Sequence, residues 1–474
     1  MYAGIDSSTQ SVKVLVVDDG QVVRSGRASH PSGTQVPPDA WWVALKQAIE
    51  EAGGIEDCDA VSIAGQQHGM ILLDSGGNVL RDAMLWNDTS SAQAASDLIE
   101  ELGRDWWVHA CGSAPVASLT VTKLRWIADN EPETARKTAA VCLPHDWLSW
   151  KLRGSEDIND LVTDRSDASG TGYVDAKTAQ YRWDILAHAL RISEVEAKQI
   201  VLPRIAEPFE SIGTVKPEFG TAVVGPGLGD NAAAALGLGL RPGEASISLG
   251  TSGVVAAVSK SPVMDPNAEV TGFMDGTGNW LPLACTLNGA RIIDNVKDLL
   301  GVGYEDFDSL AMSGDSKGLT LVPFFEGERT PNLPHATAAL HGMTSNNMDP
   351  KCFARAAFEG LACLLRGALE AVLRCGVPVK RAVLIGGGAK SRAAQTILPG
   401  ILGIPVDLAD PGEYVALGAA WQAAKVRDPQ LGPWPVERSE LMGPVGADRS
   451  RAEAIWQRYT EVASDIFQSG EDSQ

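Results

Sequence analysis

Two segments of this chain, about 240 residues apart, share one local pattern. Residues 6–12 (DSSTQSV) align with residues 248–254 (SLGTSGV) so that Thr9 falls on Thr251. In each, an apolar stretch enters a turn of hydroxyl and glycine residues, and a second apolar stretch leaves it. A repeated unit of this kind predicts two halves that fold with related topology. The alternative is a chance likeness between two strand–turn–strand segments.

The surrounding sequence predicts strands that alternate with helices. Apolar residues recur at helical spacing over 38–52 and 351–376. Short apolar runs typical of strands lie at 2–6, 12–17, 59–66, 381–387 and 405–409. Alternation of this kind favours the α/β class with a mixed sheet. The glycine- and proline-containing stretch GLGLRPGEA predicts a boundary between two domains, 1–240 and 241–474.

Charge and cysteine content argue against several classes of protein. The 39 Lys and Arg residues against 60 Asp and Glu residues give a net charge of -21, so we expect no nucleic-acid partner and no anionic membrane partner. Seven cysteines without a CxxC pair are typical of reduced thiols. The amino terminus has no signal-peptide pattern. We therefore expect a cytoplasmic protein, and the sequence leaves open whether it is a homodimer.

Both repeated turns have the chemistry of a phosphate site. The turn after Asp6 offers hydroxyl and backbone N–H donors around Thr9. Asp6 could hold Mg²⁺ through water, and Lys13 could add positive charge. Gly250 and Thr251 offer similar donors from the other half, so two facing turns could grip a polyphosphate. For each turn alone, the alternative is an ordinary β-turn.

A carboxylate at the predicted domain junction is a candidate base. Asp230 follows a glycine-containing loop and opens an alanine-rich helix over 231–238. Phosphoryl transfer to an alcohol needs an acceptor for the hydroxyl proton. The alternative is that Asp230 only caps the helix, and the local sequence does not decide between the two.

A glycine-rich turn lies between a predicted strand and a predicted helix. Gly387 and Gly388 belong to the segment GGGAKS, which matches neither GxxxxGK[ST] nor GxGxxG. Glycine lets the backbone approach a flat ligand closely. A plain connection between the two elements is the alternative.

Polar residues follow the strand 59–65, a position that often lines a ligand site in α/β proteins. Gln67 and His68 can both donate and accept hydrogen bonds, which suits sugar hydroxyls. Trp86 and Asp88 could add an aromatic face and a further polar group. Each of them singly is also compatible with an ordinary loop residue.

Together these motifs resemble the FGGY family of carbohydrate kinases, and within it the branch that acts on D-xylulose. The matching segments, in chain order, are MYAGIDSSTQSVK, SIAGQQHGM, LRDAMLWND, LPHDWLSWKLRG, SDASGTGYVD, GLGDNAAAALGLG, SLGTSG, FEGERTPNLP and LIGGGAKS. The resemblance implies an α/β fold of two actin-like (ribonuclease H-like) ATPase domains with a central cleft. It implies sugar binding by 1–240 and nucleotide binding by 241–474.

The same resemblance implies roles for individual residues. Asp230 corresponds to the catalytic base and Asp6 to a second carboxylate, so both would lie at the Mg²⁺ of Mg-ATP. The implied sugar-binding positions are Gln67, His68 and Asn231, with Trp86 and Asp88 nearby. The implied nucleotide-binding positions are Thr9, Lys13, Gly250, Thr251, Gly289, Gly387 and Gly388.

Some features depart from the family and leave alternatives open. Ser8 and Ser11 stand where many members have glycine, and the sequence after Ser391 differs from the common pattern. The segments QHG, WND and SDASGT favour phosphorylation of D-xylulose to D-xylulose 5-phosphate. A kinase for ribulose, gluconate, glycerol or erythritol is the nearest alternative. An actin-like ATPase that drives a protein partner, or a catalytically silent sugar-responsive regulator, is the alternative from another class.

Overall fold

The computed structural model describes residues 1–441 and 447–471 and contains two large mixed sheets. The first sheet has the order Gly213–Thr214, Val223–Val224, Ala60–Gly65, Tyr2–Ser7, Ser11–Asp18, Gln21–Ser29, and Leu228–Gly229 also pairs with Ala60–Gly65. The second has the order Val270–Met274, Trp280–Cys285, Gly253–Ala257, Glu244–Leu249, Arg381–Ile385, Val406–Ala409, Arg438–Leu441. Each sheet is built around one of the two repeated turns.

The two sheets have the same topology around those turns. Tyr2–Ser7 pairs antiparallel with Ser11–Asp18 and parallel with Ala60–Gly65. Glu244–Leu249 likewise pairs antiparallel with Gly253–Ala257 and parallel with Arg381–Ile385. The predicted relation between the two halves is therefore confirmed, and the likeness of the two turns reflects equivalent places in the fold. We call 2–18 the N-terminal hairpin and 244–257 the C-terminal hairpin.

Helices cover both sheets and fill the segment between them. In the first half they are Pro38–Glu51, Ala92–Leu102, Arg104–Cys111, Thr120–Asn130, Pro132–Lys137, Pro144–Arg153, Arg165–Ser169, Trp183–Leu190, Glu194–Ala197 and Asp230–Gly237. In the second half they are Arg291–Leu300, Tyr304–Met312, Pro350–Arg374, Arg392–Leu402, Tyr414–Arg427 and Ala447–Glu471. The predicted helices over 38–52 and 351–376 are thus confirmed.

Short two-stranded pairs and 3₁₀ turns complete the architecture. The strand pairs are Gln35–Val36 with Ala83–Met84, Ile71–Leu73 with Ala140–Cys142, Val162–Thr163 with Arg204–Ile205, and Thr320–Val322 with Ala339–His341. The 3₁₀ turns are Ile158–Asp160, Pro217–Phe219 and Gly387–Lys390.

The buried side chains form separate cores. One core lies on the first sheet and includes Ile5 and Trp41. A second core, with Leu98 and Trp107, joins helices from the middle of the chain. The third lies on the second sheet and includes Phe358. Separate cores are expected when a chain of this length divides into domains.

Two helices cross between the halves with almost no space between their backbones. A Cβ on Gly237 would lie 1.9 Å from the carbonyl oxygen of Tyr414, and a Cβ on Gly418 would lie 1.9 Å from that of Ala233. Helix Tyr414–Arg427 continues onto the first sheet, where a Cβ on Gly4 would lie 2.0 Å from the carbonyl oxygen of Ala416. A helix from the second half of the sequence therefore packs on the first sheet.

The last helix packs on the second half, a point that the sequence left open. Ile455 and Tyr459 are buried in the core of the second sheet, and Arg366 pairs with Glu453 at 2.9 Å.

All seven cysteines are free thiols. None of the helices in the described ranges combines the length and apolar character that crossing a bilayer requires.

Candidate active site

A cavity of about 360 Å³ lies between the two halves of the chain. Five of the predicted site residues line its first-half wall, namely Gln67, His68, Trp86, Asp230 and Asn231. The opposite wall includes Ser252, Thr271, Phe273, Cys285 and Arg329. The fold thus brings together residues that lie far apart in the sequence.

Asp230 reaches this cavity because the short strand Leu228–Gly229 pairs with Ala60–Gly65. The helix begins at Asp230, and Gly229 occupies the N-cap position without a side-chain cap. Interpretation of Asp230 as the helix cap is therefore wrong. Its Oδ1 accepts hydrogen bonds from the backbone N–H of Asn231 at 2.7 Å and from Nδ2 of Asn231 at 3.0 Å. Among the described residues, Oδ2 has no hydrogen-bond donor.

The surroundings of Asp230 make it a weaker acid than usual. Burial, and then the negative charge of Asp6, raise the pKa of Asp230 to about 7. Each of these disfavours the ionised form. A carboxylate with a pKa near neutrality can accept a proton during a reaction and release it afterwards.

Asp6 lies at the end of the first strand and is almost fully buried. Burial raises its pKa, although Ser8 and Lys13 act in the opposite direction. The Ser8 hydroxyl donates to Asp6 Oδ1 at 2.5 Å, and Lys13 Nζ lies 3.6 Å from Oδ2. Lys13 also pairs at 2.6 Å with Glu413, which directly precedes helix Tyr414–Arg427. The Lys13 amine therefore joins the N-terminal hairpin to the other half of the chain.

Gln67 and Asn231 form one network with Asp230. Asn231 Nδ2 donates to Gln67 Oε1 at 3.0 Å, and Gln67 Nε2 donates to the carbonyl oxygen of Ser166 at 3.4 Å. The hydroxyl of Ser166 in turn accepts from the backbone N–H of Gly229 at 3.0 Å. The segment at Ser166 therefore holds both the Gln67 amide and the loop that carries Asp230.

His68 has one defined protonation state in this site. Its Nδ1 lies 2.7 Å from the carbonyl oxygen of Gly170, which can only accept, so Nδ1 carries the proton. Burial, and then the positive charge of Lys123, lower the pKa of His68 to about 3. The imidazole is therefore neutral, and Nε2 is a hydrogen-bond acceptor. The ring lies 5.6 Å from that of Phe273, centroid to centroid.

Trp86 connects the cavity to the turn of the N-terminal hairpin. Its side chain is 47% exposed, and Nε1 donates to the Thr9 hydroxyl at 2.9 Å. That hydroxyl donates to Gln66 Oε1 at 3.2 Å. Thr9 and Trp86, which the sequence assigned to different ligands, are therefore direct neighbours.

Asp88 lies outside the cavity, contrary to the expectation of a sugar contact. Its carboxylate accepts from the Thr34 hydroxyl at 3.0 Å, from Gln35 Nε2 at 2.9 Å and from the backbone N–H of Ser90 at 2.9 Å. Buried carboxylates of this kind are held by their hydrogen bonds. Asp88 anchors its own loop, so the structure does not bring it to the other predicted sugar-binding residues.

A second cavity of about 480 Å³ lies in the second half. Gly250, Thr251, Gly387 and Gly388 line it, together with Leu249, Ile293, Phe358, Tyr304 and Ser391. Apolar walls with a few polar groups and backbone N–H donors are typical of small-molecule sites. The four predicted nucleotide residues that surround this space therefore share one pocket.

Gly289 packs against the turn at Gly250, which lines this second cavity. A Cβ at Gly289 would lie 2.4 Å from the carbonyl carbon of Ser252 and 2.8 Å from the carbonyl oxygen of Gly250. The next residue, Ala290, donates its backbone N–H to Gly250 at 2.8 Å. Only glycine allows the two turns to pack this closely.

Several residues that hold the site together carried no predicted role. The buried Gln422 side chain accepts from Gly227 N–H at 3.1 Å, donates to Gly227 O at 2.9 Å, and accepts from the Ser62 hydroxyl. Nothing in the sequence around Gln422 marks it. Glu328 and Arg329 lie in the motif FEGERTPNLP, which signalled the family without assigning either residue a task.

The carboxylates at the cleft suit a magnesium ion. The negative charge of Asp6 raises the pKa of Asp230, and a nearby cation would offset that repulsion. Mg²⁺ keeps several waters and needs only one or two protein carboxylates. In the described parts of the chain there is no group of three or more His, Cys, Asp or Glu side chains arranged to hold a metal. The donor set therefore fits hydrated Mg²⁺ carried with the nucleotide.

Comparison with known proteins gives a consistent family assignment. Residues 1–237 match the model of the N-terminal domain of the FGGY family of carbohydrate kinases, and residues 245–426 match that of its C-terminal domain. The chain is similar to a xylulose kinase of Streptomyces coelicolor, with 43% identity over 98% of this chain and 96% of the relative. It is also similar to a xylulose kinase of Streptomyces rubiginosus, with 44% identity over 90% of this chain and 87% of the relative.

Solved structures agree with these sequence matches. The crystal structure of xylulose kinase from Bifidobacterium adolescentis superposes with a TM-score of 0.92 and 45% identity, covering 98% of this chain and 99% of that one. A gluconate kinase from Lactobacillus acidophilus shares the fold with a TM-score of 0.89 at 20% identity, covering 100% of this chain and 99% of that one. The two-domain architecture with its central cleft is thus an established one.

Proposed function

Because this chain belongs to the FGGY family of carbohydrate kinases and is an ATP-dependent sugar kinase, we propose that it phosphorylates D-xylulose at its 5-hydroxyl. Two similar relatives over nearly the whole chain, and one solved structure, are xylulose kinases. The observation that carries the proposal is the position of Asp230. It lines the cavity between the halves beside Gln67 and Asn231, and its pKa is about 7.

The chemical step is an in-line displacement at phosphorus. The 5-hydroxyl oxygen of the sugar forms a bond to the γ-phosphorus, and the bond from that phosphorus to the oxygen bridging to the β-phosphorus breaks. ADP leaves with the bonding electron pair, and the hydroxyl proton moves to the Asp230 carboxylate. Ionised Asp230 is available as the acceptor because Asn231 holds it in place through Oδ1, while Oδ2 has no donor in the described part of the chain.

The two ligands occupy different halves in this proposal. The sugar lies against Gln67, His68, Trp86 and Asn231, in the domain predicted as 1–240. The nucleotide lies against Gly250, Thr251, Gly387 and Gly388, in the domain predicted as 241–474, with Gly289 supporting the phosphate turn. Thr9 faces the phosphates from the N-terminal hairpin, as does Lys13 once it parts from Glu413.

Mg²⁺ bound with ATP would be held near Asp6 and Asp230 and would neutralise charge on the phosphates during transfer. The chain's own contribution is positional. The Ser8 hydroxyl orients Asp6, and the loop contacts through Ser166 and Gln422 hold the backbone next to Asp230. Closure of the two halves over both ligands would exclude water from the reaction.

A sugar panel with ADP detection tests the proposal. We expect D-xylulose to give a kcat/KM at least tenfold above D-ribulose, gluconate, glycerol and erythritol. A different preferred sugar would contradict the proposed substrate and leave the kinase chemistry in place. ATP turnover that no sugar stimulates would contradict the proposed function altogether.

A further inference from the structure

Arg329 is a cation in the cleft whose side chain has no partner among the described residues. It lines the cavity between the halves from the C-terminal side. Within the described ranges, 1–441 and 447–471, its guanidinium takes part in no hydrogen bond and no ion pair. Two other partly buried arginines of this half are paired, Arg355 with Glu359 at 2.7 Å and Arg381 with Asp407 at 2.5 Å. A guanidinium presents five donors, and those of Arg329 are open to a ligand because the side chain lines the cavity.

The backbone at Arg329 is held firmly on both sides. Glu328, 1% exposed, accepts from the backbone N–H groups of Leu287 at 2.5 Å and of Arg329 at 2.7 Å, and from Asn288 Nδ2 at 2.9 Å. The Thr330 hydroxyl donates to the carbonyl oxygen of Cys285 at 2.9 Å. The side chain between these anchors is therefore presented from a rigid support, which is the arrangement expected of a binding residue.

Arg329 also acts on His68 across the cleft. Its positive charge contributes to the low pKa of His68, after burial and the charge of Lys123. His68 is neutral with Nδ1 bound to Gly170, so its Nε2 can only accept. One side of the cavity thus offers an acceptor, and the facing side offers a set of donors.

We propose that Arg329 binds the ketose from the C-terminal half, donating to its carbonyl oxygen while Nε2 of His68 accepts from a neighbouring hydroxyl. A carbonyl group beside a hydroxyl is the part of a 2-ketose that needs one donor and one acceptor, and it lies at the opposite end from the reacting 5-hydroxyl. The proposal deepens the proposed function and depends on it, because it presumes a ketose substrate. It makes Arg329 a specificity-determining residue, and it means that the sugar site is complete only when both halves contribute.

The test compares a ketose with the pentitol that lacks its carbonyl group. In the parent enzyme, kcat/KM for D-xylulose should exceed that for xylitol. Arg329→Gln should raise KM for D-xylulose by about 10- to 100-fold, as expected for a hydrogen bond to a charged group. KM for ATP should stay within about twofold, and the preference for the ketose over xylitol should shrink by about the same factor as the loss for D-xylulose.

Two further variants keep the outcome decisive. Arg451→Gln removes an exposed arginine of the same half that pairs with Asp315 at 2.8 Å, and it should leave both sugars unaffected. Arg329→Lys keeps the charge but not the planar fork, so it should fall between the parent and Arg329→Gln. The melting temperature and calorimetric titration with ATP show whether Arg329→Gln folds. If it does not fold, Arg329→Lys takes its place as the test variant.

The failures of the two proposals can be told apart. A parent enzyme that phosphorylates no ketose contradicts the proposed function. The other failure concerns Arg329 alone. If the parent phosphorylates D-xylulose but Arg329→Gln or Arg329→Lys keeps both KM for this sugar and the ratio of kcat/KM for D-xylulose to that for xylitol, only the role of Arg329 is contradicted. Equal losses for D-xylulose and xylitol would also overturn the carbonyl contact.

Discussion

The negative charge of Asp6 raises the pKa of Asp230, although the two residues lie more than 200 positions apart in the sequence. Asp6 lies near the end of the first strand, and Asp230 opens the helix Asp230–Gly237. Both are therefore fixed by backbone structure, and their mutual repulsion is a property of the fold. Two carboxylates arranged in this way suit a site that receives a cation and a proton.

Replacing Asp230 tests the proposed base. Asp230→Asn keeps the shape and one acceptor oxygen but cannot take the hydroxyl proton. We expect kcat to fall by about 100- to 10,000-fold, with KM for D-xylulose within a few-fold of the parent. Coupled-assay kinetics would measure both. Asp74→Asn, on an exposed loop, is the matched control and should keep full activity. If Asp230→Asn kept the kcat of the parent enzyme, Asp230 would not be the base.

The pH profile should report the same group. Because Asp230 must be ionised to accept a proton and its pKa is about 7, kcat/KM should rise with pH through about 7 and then level off. Asp6→Asn removes the neighbouring negative charge, so the pKa of Asp230 should fall and the rising limb should move to lower pH. The maximum rate should fall as well, since Asp6 is proposed to help hold Mg²⁺. If the midpoint pH of the rising part of the profile were the same in Asp6→Asn as in the parent, the effect of Asp6 on the pKa of Asp230 would be contradicted.

A buried charge cluster lies directly behind the loop that carries Asp230. His145 Nδ1 lies 2.7 Å from Asp167, and Nε2 lies 3.3 Å from Asp146. Burial alone would lower the pKa of His145, but Asp146 and Asp167 raise it to about 10. A Cβ on Gly227 would lie 2.2 Å from the imidazole ring, so the ring also shapes the loop.

His145→Gln should therefore lower the melting temperature in a way that depends on pH. A raised pKa contributes stability that is complete below the unfolded value of about 6.5 and is lost as pH rises through about 10. Removing one member of a buried ion pair costs about 3–5 kcal/mol, so the loss should be greatest near pH 6 and smaller near pH 9. Differential scanning calorimetry at both pH values would measure it. His109→Gln, an exposed histidine paired with Asp105, should change the melting temperature little, and equal losses at both pH values in His145→Gln would contradict the charge argument.

The proposed binding of the nucleotide in the second cavity can be tested without disturbing the fold. A Cβ on Gly387 would meet no protein atom within 4 Å, and this glycine lines the second cavity. Gly387→Val should therefore fill space needed by the nucleotide and raise KM for ATP by about tenfold or more, with the melting temperature of the free enzyme nearly unchanged. Gly432→Val is the control, because a Cβ on Gly432 would also meet no protein atom within 4 Å and this glycine lies outside that cavity. An unchanged KM for ATP in Gly387→Val would place the nucleotide elsewhere.

Local pattern predicted much of the fold and part of the site. The strands of both hairpins and the helix Pro350–Arg374 follow from apolar periodicity, which depends on near neighbours in the chain. Gln67, His68 and Asp230 were predicted as site residues, and the fold brings them to one cavity. The sequence predicted Asp88 near the sugar, whereas in the structure its carboxylate is engaged by Thr34, Gln35 and Ser90 outside the cavity.

The amino-acid sequence alone determined the family and the residue types offered to each ligand, and it predicted the two related halves, because these depend on motifs and on spacing along the chain. Only the tertiary structure decided that helix Tyr414–Arg427 packs on the first sheet, that His145 lies among buried carboxylates and that Arg329 faces the cavity with no partner among the residues described. The physical reason is that burial, ionisation and pairing depend on contacts between residues that are distant in sequence, and a linear pattern does not specify those contacts.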